Sequence, residues 1–319
     1  MIMKRKLFFV VCLMVMSIQS VKAQNAKIIL HHQGAASFFT SNQTQAAFNA
    51  AVDGDTIYFN DGSFTGNVTI TKKVTLIGAG ALTSKPYTKI SGNVTISIGD
   101  GDAMLSSRLM EGIYVEGNVI IGKAVTGLTI RRCFFQYMMF NAAINECNIE
   151  QCTCNYSDGF QLSSNVKGLN VSNCRLWGIT GAAPSAENAI FSNCNIKYMQ
   201  TNCLATYRNC IISGSPSSYN NTMIYINCLC SSSSYMSWSN NNCWNYGKEI
   251  LKDNGYLCVL SDKELTDAGY IGTDGKVVGY NGGETPWTLE TTAPKITEYS
   301  SEVDPQTKKV TVNLKVANQ

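Results

Sequence analysis

Between Arg132 and Cys243 seven cysteines close short alternating runs: Cys133, Cys147, Cys174, Cys194, Cys210, Cys228 and Cys243. Five follow an asparagine, namely Asn173, Asn193, Asn209, Asn227 and Asn242, while Arg132 and Glu146 precede the first two. Thiols in such a series could be disulfides, metal ligands, nucleophiles or packing. Zinc sites use two-residue gaps, paired sets or histidines. The doublets Cys152-Thr-Cys154 and Cys228-Leu-Cys230 have one-residue gaps, and the only histidines are His31 and His32. Neither a metal centre nor a Cys-His nucleophile assembles from this set, and no cofactor is expected.

Acid–base chemistry meets a similar shortage. Glycoside hydrolysis needs two carboxylates on one face, and between Arg131 and Trp244 the acids are Glu146, Glu150, Asp158 and Glu187. A lyase would need an acidic calcium cluster beside a basic residue. Arg131, Arg132, Arg175 and Arg208 are present, but no acidic cluster accompanies them. Asp53-Gly-Asp55, Asp100-Gly-Asp102 and Thr273-Asp-Gly275 read as turns, and the histidine pair as exposed or structural.

The elements that carry these residues follow from periodicity. In Gly168-Leu-Asn-Val-Ser-Asn-Cys-Arg-Leu-Trp177, Leu169 and Val171 alternate with polar residues, then Cys174 and Leu176 point inward and Arg175 and Trp177 outward. Two strands meet at Asn173, a residue type that tolerates the left-handed backbone of a sharp bend. Successive cysteines are 14, 27, 20, 16, 18 and 15 residues apart by subtraction, a repeat length that marks a solenoid. The expected arrangement is two internal ladders, asparagines at the bend and buried free thiols behind them. Disulfides are the rival, since neighbouring parallel strands lie about 4.8 Å apart, but their Cβ vectors run alongside rather than toward each other.

Residues 1–23 have the form of a secretory signal: Lys4, Arg5 and Lys6, an apolar run from Leu7 to Ile18, and Val21-Lys22-Ala23 as the cleavage site. Cys12 within that run makes a poor lipoprotein signal. No later segment suggests a membrane span. Removing the leader leaves 25 minus 4 basic residues against 22 acids, a balance of −1, which excludes a basic field for nucleic acid. The location implied is secreted or cell-surface, with the periplasm as an alternative.

Segment 24–55 is expected to hold a capping helix over Asn42 to Ala51, closing the open end of the stack. The stretch Thr44 to Gly80, "TQAAFNAAVDGDTIYFNDGSFTGNVTITKKVTLIGAG", resembles the opening of right-handed parallel β-helix proteins of the pectate-lyase-like superfamily. That resemblance implies an all-β solenoid over 56–248, in a family containing polysaccharide lyases and hydrolases. The paired aspartates, Gly-His-Gly and Arg-x-Lys signatures of its polygalacturonase-like branch are absent. A closing segment, 249–290, carries a capping pattern at Ser261-Asp-Lys-Glu264 for a short helix near Leu265. Its Gly269 to Trp287 stretch resembles the end of secreted β-helix proteins of the Bacteroidetes type. Residues 291–319 read as a linker and a terminal strand pair, which must dock or find a partner because two strands bury no core.

The outward positions beyond each cysteine (Phe134, Asn148, Arg175, Asn195, Ile211, Leu229, Trp244, and then Gln136, Glu150, Trp177, Lys197, Ser213, Ser231) are unusually apolar and aromatic. A long turn or the terminal strands could cover this face. Otherwise Trp177 and Trp244 would stack sugar rings while Arg175, Lys197 and Glu150 bond hydroxyls or a carboxylate, or the face would self-associate. The expectation is a non-catalytic protein contacting polysaccharide or a cell-surface protein through this face. The alternative is a lyase or hydrolase with an atypical site.

Overall fold

The computed structural model describes residues 27–98, 108–162, 166–181, 189–201, 205–213, 223–231, 242–252, 257–291, 295–303, 306 and 310–317. The leader, Asp100 to Asp102 and Glu187 lie outside the described residues. The chain is a right-handed parallel β-helix built from an eleven-stranded sheet, a fifteen-stranded sheet and a small three-stranded one. One turn shows the plan. Leu128–Arg131 lies in the first sheet, Phe134–Phe135 and Tyr137–Phe140 in the second, and Ile144–Asn145 in the third, before Asn148–Glu150 returns to the first.

Alternation places every second side chain inside. Ile130, Cys133, Phe135, Met138, Ile144 and Cys147 of that turn are buried, as are their counterparts above and below. Aromatic rings continue from rung to rung through the interior: Phe191 stacks on Tyr207 at 5.1 Å and Tyr207 on Tyr225 at 5.3 Å. Such stacking buries rings of matching shape against each other, which one-rung translation makes automatic.

The corner from first to second sheet is where asparagine matters. Asn173, Asn193, Asn209, Asn227 and Asn242 have φ between +49° and +56°. Arg132 and Gln151 hold the same conformation at φ +54°, so the corner is set by topology, and asparagine is the residue that adopts it most readily. Gln151-Cys152 is thus a member of the series that the Asn-Cys pattern misses.

Cys147 belongs elsewhere. Thr129 pairs with Asn148 and Asn148 with Asn170, which aligns Cys147 with Leu128 and Leu169 at the corner from third to first sheet. Glu146, with φ +51°, shares that corner with Gly127 and Gly168. Replacing Cys147 by Cys152 turns the uneven spacings of 14 and 27 into 19 and 22 by subtraction.

The thiols behind the first corner are buried, from Cys133 and Cys152 at 0% exposure to Cys243 at 8%, and the described cysteines are free. Those from Cys133 to Cys228 have carbonyls within reach: Cys174 Sγ donates to Ser172 O at 3.2 Å and Ile149 O at 3.5 Å, and Cys228 Sγ to Tyr207 O at 3.3 Å. Burial pushes the Cys133, Cys174, Cys210 and Cys228 thiols well above their ordinary range, which makes them inert packing.

The capping helix spans Thr44–Ala50 and buries Thr44, Ala47 and Phe48. Gln45 completes the cap: its Oε1 accepts from Thr69 N at 2.7 Å and its Nε2 donates to Thr69 O at 3.1 Å. The side-chain amide thereby stands in for a further strand on an open edge. Ahead of the helix an antiparallel hairpin, Lys27–His32 and Ala35–Thr40, extends the first sheet. The chain also has a two-stranded antiparallel sheet, Lys295–Val303 with Val310–Ala317. No helix among the described residues is long and apolar enough to cross a membrane.

Candidate functional site

The outward face beyond the first corner divides into a covered strip and an open one. Residues 249–252 and 257–291 form a strap that turns back and travels along the solenoid toward its first rungs. The strap starts with Ile250 and Leu251, fully buried, and a helix, Asp262–Asp267, whose capping box joins Ser261 and Glu264. Ile250, Leu251, Leu265 and Val278 pack with Ile211 and Leu229 in one cluster, with Trp244 and Tyr270 at its margin. The rings of Trp244 and Tyr270 meet edge to face at 5.6 Å. The apolar outward residues are therefore interior residues of a second, smaller core.

Past Tyr270 the strap contacts the corner residues one after another, descending the solenoid. Asn227 Nδ2 donates to Ile271 O at 3.4 Å, and Asn209 Oδ1 accepts from Thr273 N at 3.0 Å. Asn193 Nδ2 reaches Asp274 Oδ2 at 3.3 Å, Asn173 Nδ2 donates to Gly282 O at 2.6 Å, and Gln151 Nε2 donates to Pro286 O at 2.5 Å. Gly279 allows the close approach, since a Cβ there would lie 2.5 Å from Asn195 Oδ1. At the far end Leu289 O accepts from Ala81 N at 3.0 Å, and Lys85 Nζ pairs with Glu290 at 2.6 Å. The corner amides thus bond the strap, where a ladder would have had them bond one another. Left-handed corners aim these side chains outward at one-rung intervals, and the strap reads the row.

The proposed binding residues separate accordingly. The Arg175 guanidinium lies 3.3 Å from the Trp287 ring centroid and 4.3 Å from that of Tyr280. Lys197, only 4% exposed, pairs with Glu249 and donates to Leu251 O at 2.9 Å. Arg175, Lys197 and Trp244 are therefore engaged by the strap, and Trp177 is half-buried on the same strand as Arg175. Glu150 sits on the first sheet, between Arg131 and Ser172; grouping it with the others followed from giving Cys147 the wrong corner.

Around Glu150 the structure assembles a charged cluster that includes Glu111, an acid ahead of the first cysteine rung and so outside the stretch from Arg131 to Trp244. Glu111, 2% exposed, receives Arg131 Nη2 at 2.7 Å and Arg132 Nη1 at 3.1 Å. Arg132 Nε also donates to Gln151 Oε1 at 2.9 Å. Burial raises the Glu150 carboxyl above its ordinary range despite nearby Arg131 and Arg132. His32 is likewise accounted for: its Nδ1 lies 2.6 Å from Asp55 Oδ1, beside the capping helix. Among the described residues no group of three or more His, Cys, Asp or Glu side chains could hold a metal ion.

The open strip lies in the earlier rungs and beyond the bend within the second sheet. Tyr114 and Phe134 stack at 4.5 Å, nearly parallel, with Tyr87 edge-on to Tyr114 at 5.7 Å. Lys89 and Glu116 pair beside them at 2.8 Å. Tyr137 and Tyr156 meet at 4.7 Å, and Tyr198 is exposed. Comparisons with family models, with curated proteins and with solved structures give no match for this chain.

Proposed function

We propose that this chain is a secreted or surface β-helix protein, non-catalytic, which contacts glycan or protein through the open part of its second sheet. The observation that carries the reading is the row of half-exposed rings from Tyr87 through Tyr114 and Phe134 to Tyr137, next to the Lys89–Glu116 pair. Aromatic side chains on a rigid sheet supply large amphipathic contact area at low entropic cost. The leader in residues 1–23 supports export. The finer proposal, membership in the pectate-lyase-like superfamily with kinship to secreted Bacteroidetes-type proteins, has its support in the capping helix, the Gly54-Asp55-Thr56 turn and the first strand.

One observation favours a second reading, an atypical lyase or hydrolase. Glu111 and Glu150 flank Arg131 two rungs apart, roughly 10 Å at Cα, near the carboxylate separation of an inverting hydrolase. Against it, both Glu111 oxygens are bound by arginine. Incubation with a polysaccharide panel, following retention and new reducing or unsaturated ends, tests both. Retention without cleavage is expected; cleavage that disappears in Glu150→Gln would establish the enzyme.

A further inference from the structure

The bend within the second sheet carries a structure that the packing of the solenoid does not require. Between the strands Thr153–Cys154 and Phe160–Leu162 the chain leaves the sheet in a turn, closed by Gly159 N donating to Tyr156 O at 3.0 Å. The turn folds over the long strand Arg175–Gly181 of the next rung. A Cβ on Gly178 would lie 1.5 Å from Ser157 O, and one on Gly159 would lie 2.6 Å from both Cys154 Sγ and Gln136 O. Side chains are thus absent from both places where the turn meets the sheet, and its backbone rests directly on the scaffold. Thr180 Oγ1 further donates to Asp158 O at 3.4 Å.

Seating a turn this closely fixes the residues it displays. Tyr156 stands 43% exposed with its ring 4.7 Å from that of Tyr137. On the other side Tyr198, the register partner of Gly178, is 41% exposed. Exposed tyrosines held by a rigid base on both sides of a turn offer ring faces for apolar sugar surfaces and phenols for hydroxyls. The neighbouring charge is Asp158; burial, and after it Asp158 and Tyr156, raise the Tyr137 phenol above its ordinary range. Among the described residues Lys197 lies 5.8 Å from the Tyr198 ring and is already paired with Glu249. A carboxylate beside a lysine that is already paired repels uronates and sulfates and accepts hydrogen bonds from neutral sugars.

We propose that Tyr137, Tyr156 and Tyr198, arranged about the Asn155–Gly159 turn with Asp158, form a binding site for a neutral polysaccharide. The proposal rests on the glycan reading above and narrows it to one site and one class of ligand. The test is native affinity electrophoresis of the full chain in gels containing arabinoxylan, β-glucan or galactomannan, with polygalacturonate and alginate as acidic arms. The comparison is the Tyr156→Ala/Tyr198→Ala double variant. Retardation by a neutral polysaccharide, weakened about tenfold or more in the double variant with the thermal midpoint unchanged, is the expected result. Neutral retardation that the double variant leaves intact overturns this site but not the glycan reading, as does retardation by acidic polysaccharides alone. No retardation by any of the five overturns both.

Discussion

The two strips of the second sheet have the same backbone and opposite surfaces. Under the strap the outward column runs Asn195, Ile211, Leu229, with exposures of 1% or less, while in the open rungs the same column runs Lys89, Tyr114, Phe134, partly exposed. The aliphatic outward residues Ile211 and Leu229 of this sheet therefore mark where a segment of the same chain covers it, and the mixed aromatic and charged strip is the better place to look for a partner. Arg175 and Lys197 show the same logic. Aromatic rings and a carboxylate do surround them, but the chain supplies its own: Trp287, Tyr280 and Glu249.

That contrast can be broken first where it is strongest. Leu229→Ala removes a fully buried side chain between sheet and strap and is expected to lower stability by about 2–5 kcal/mol, while Lys89→Ala in the open strip changes it by less than about 1 kcal/mol; urea denaturation of both variants measures the difference. A strapped strip that tolerated Leu229→Ala as well as the open one tolerates Lys89→Ala would mean that the covering segment is not cohesive.

Arg175→Ala should cost about 2 kcal/mol, the scale of a desolvated cation–π contact, and shift Trp287 emission to the red as the ring gains water. Arg175→Lys should recover only part of it, because an ammonium lacks the planar surface that two rings sandwich. Full recovery by lysine would reduce the contact to charge alone.

The corner sharpens the comparison further. Asn209→Ala loses the bonds to Thr273 and places alanine in a left-handed corner, together about 1–3 kcal/mol. Asn209→Gly keeps the backbone and loses only the amide, so the difference between the two thermal denaturation curves isolates the conformational part. Equal losses would show that the left-handed turn contributes nothing.

The smallest effect is at the N-terminal cap, away from both strips. Burial alone would raise the Asp55 carboxyl, but the Val52 amide, at 2.9 Å, and His32 outweigh it, and the pKa is lowered. A carboxyl depressed by folding adds stability above its unfolded pKa, and that stability disappears as pH falls through the folded value. Wild type should therefore exceed Asp55→Asn in thermal midpoint at neutral pH, and the two curves should converge below about pH 4. A gap that persisted in acid would assign the effect to packing.

Much of this was legible in the residues. Alternation gave the strands, Asn-Cys pairs located five of the corners, and Ser261 with Glu264 marked the second helix. What escaped were corners filled by other residue types. Gln151 carries no turn signal, yet it is bent as Asn173 is, because neighbouring rungs impose the bend. Missing it let Cys147 into the series and drew Glu150 onto the wrong sheet. The strap was visible as a change of composition after Glu249, but its docking line depends on which way each corner amide points, and that follows only from the sign of φ.

The docking line has a consequence for how such a protein can change. A solenoid ordinarily lengthens by duplicating a rung, since each rung contacts only its neighbours. Here the strap meets Asn227, Asn209, Asn193, Asn173 and Gln151 in descending order and ends against Ala81 and Lys85. Inserting one rung would shift every contact beyond it by about 4.8 Å and leave the strap one step short. The number of rungs between Ala81 and Asn227 is therefore matched to the length of the strap, so an inserted rung there would call for a longer strap as well.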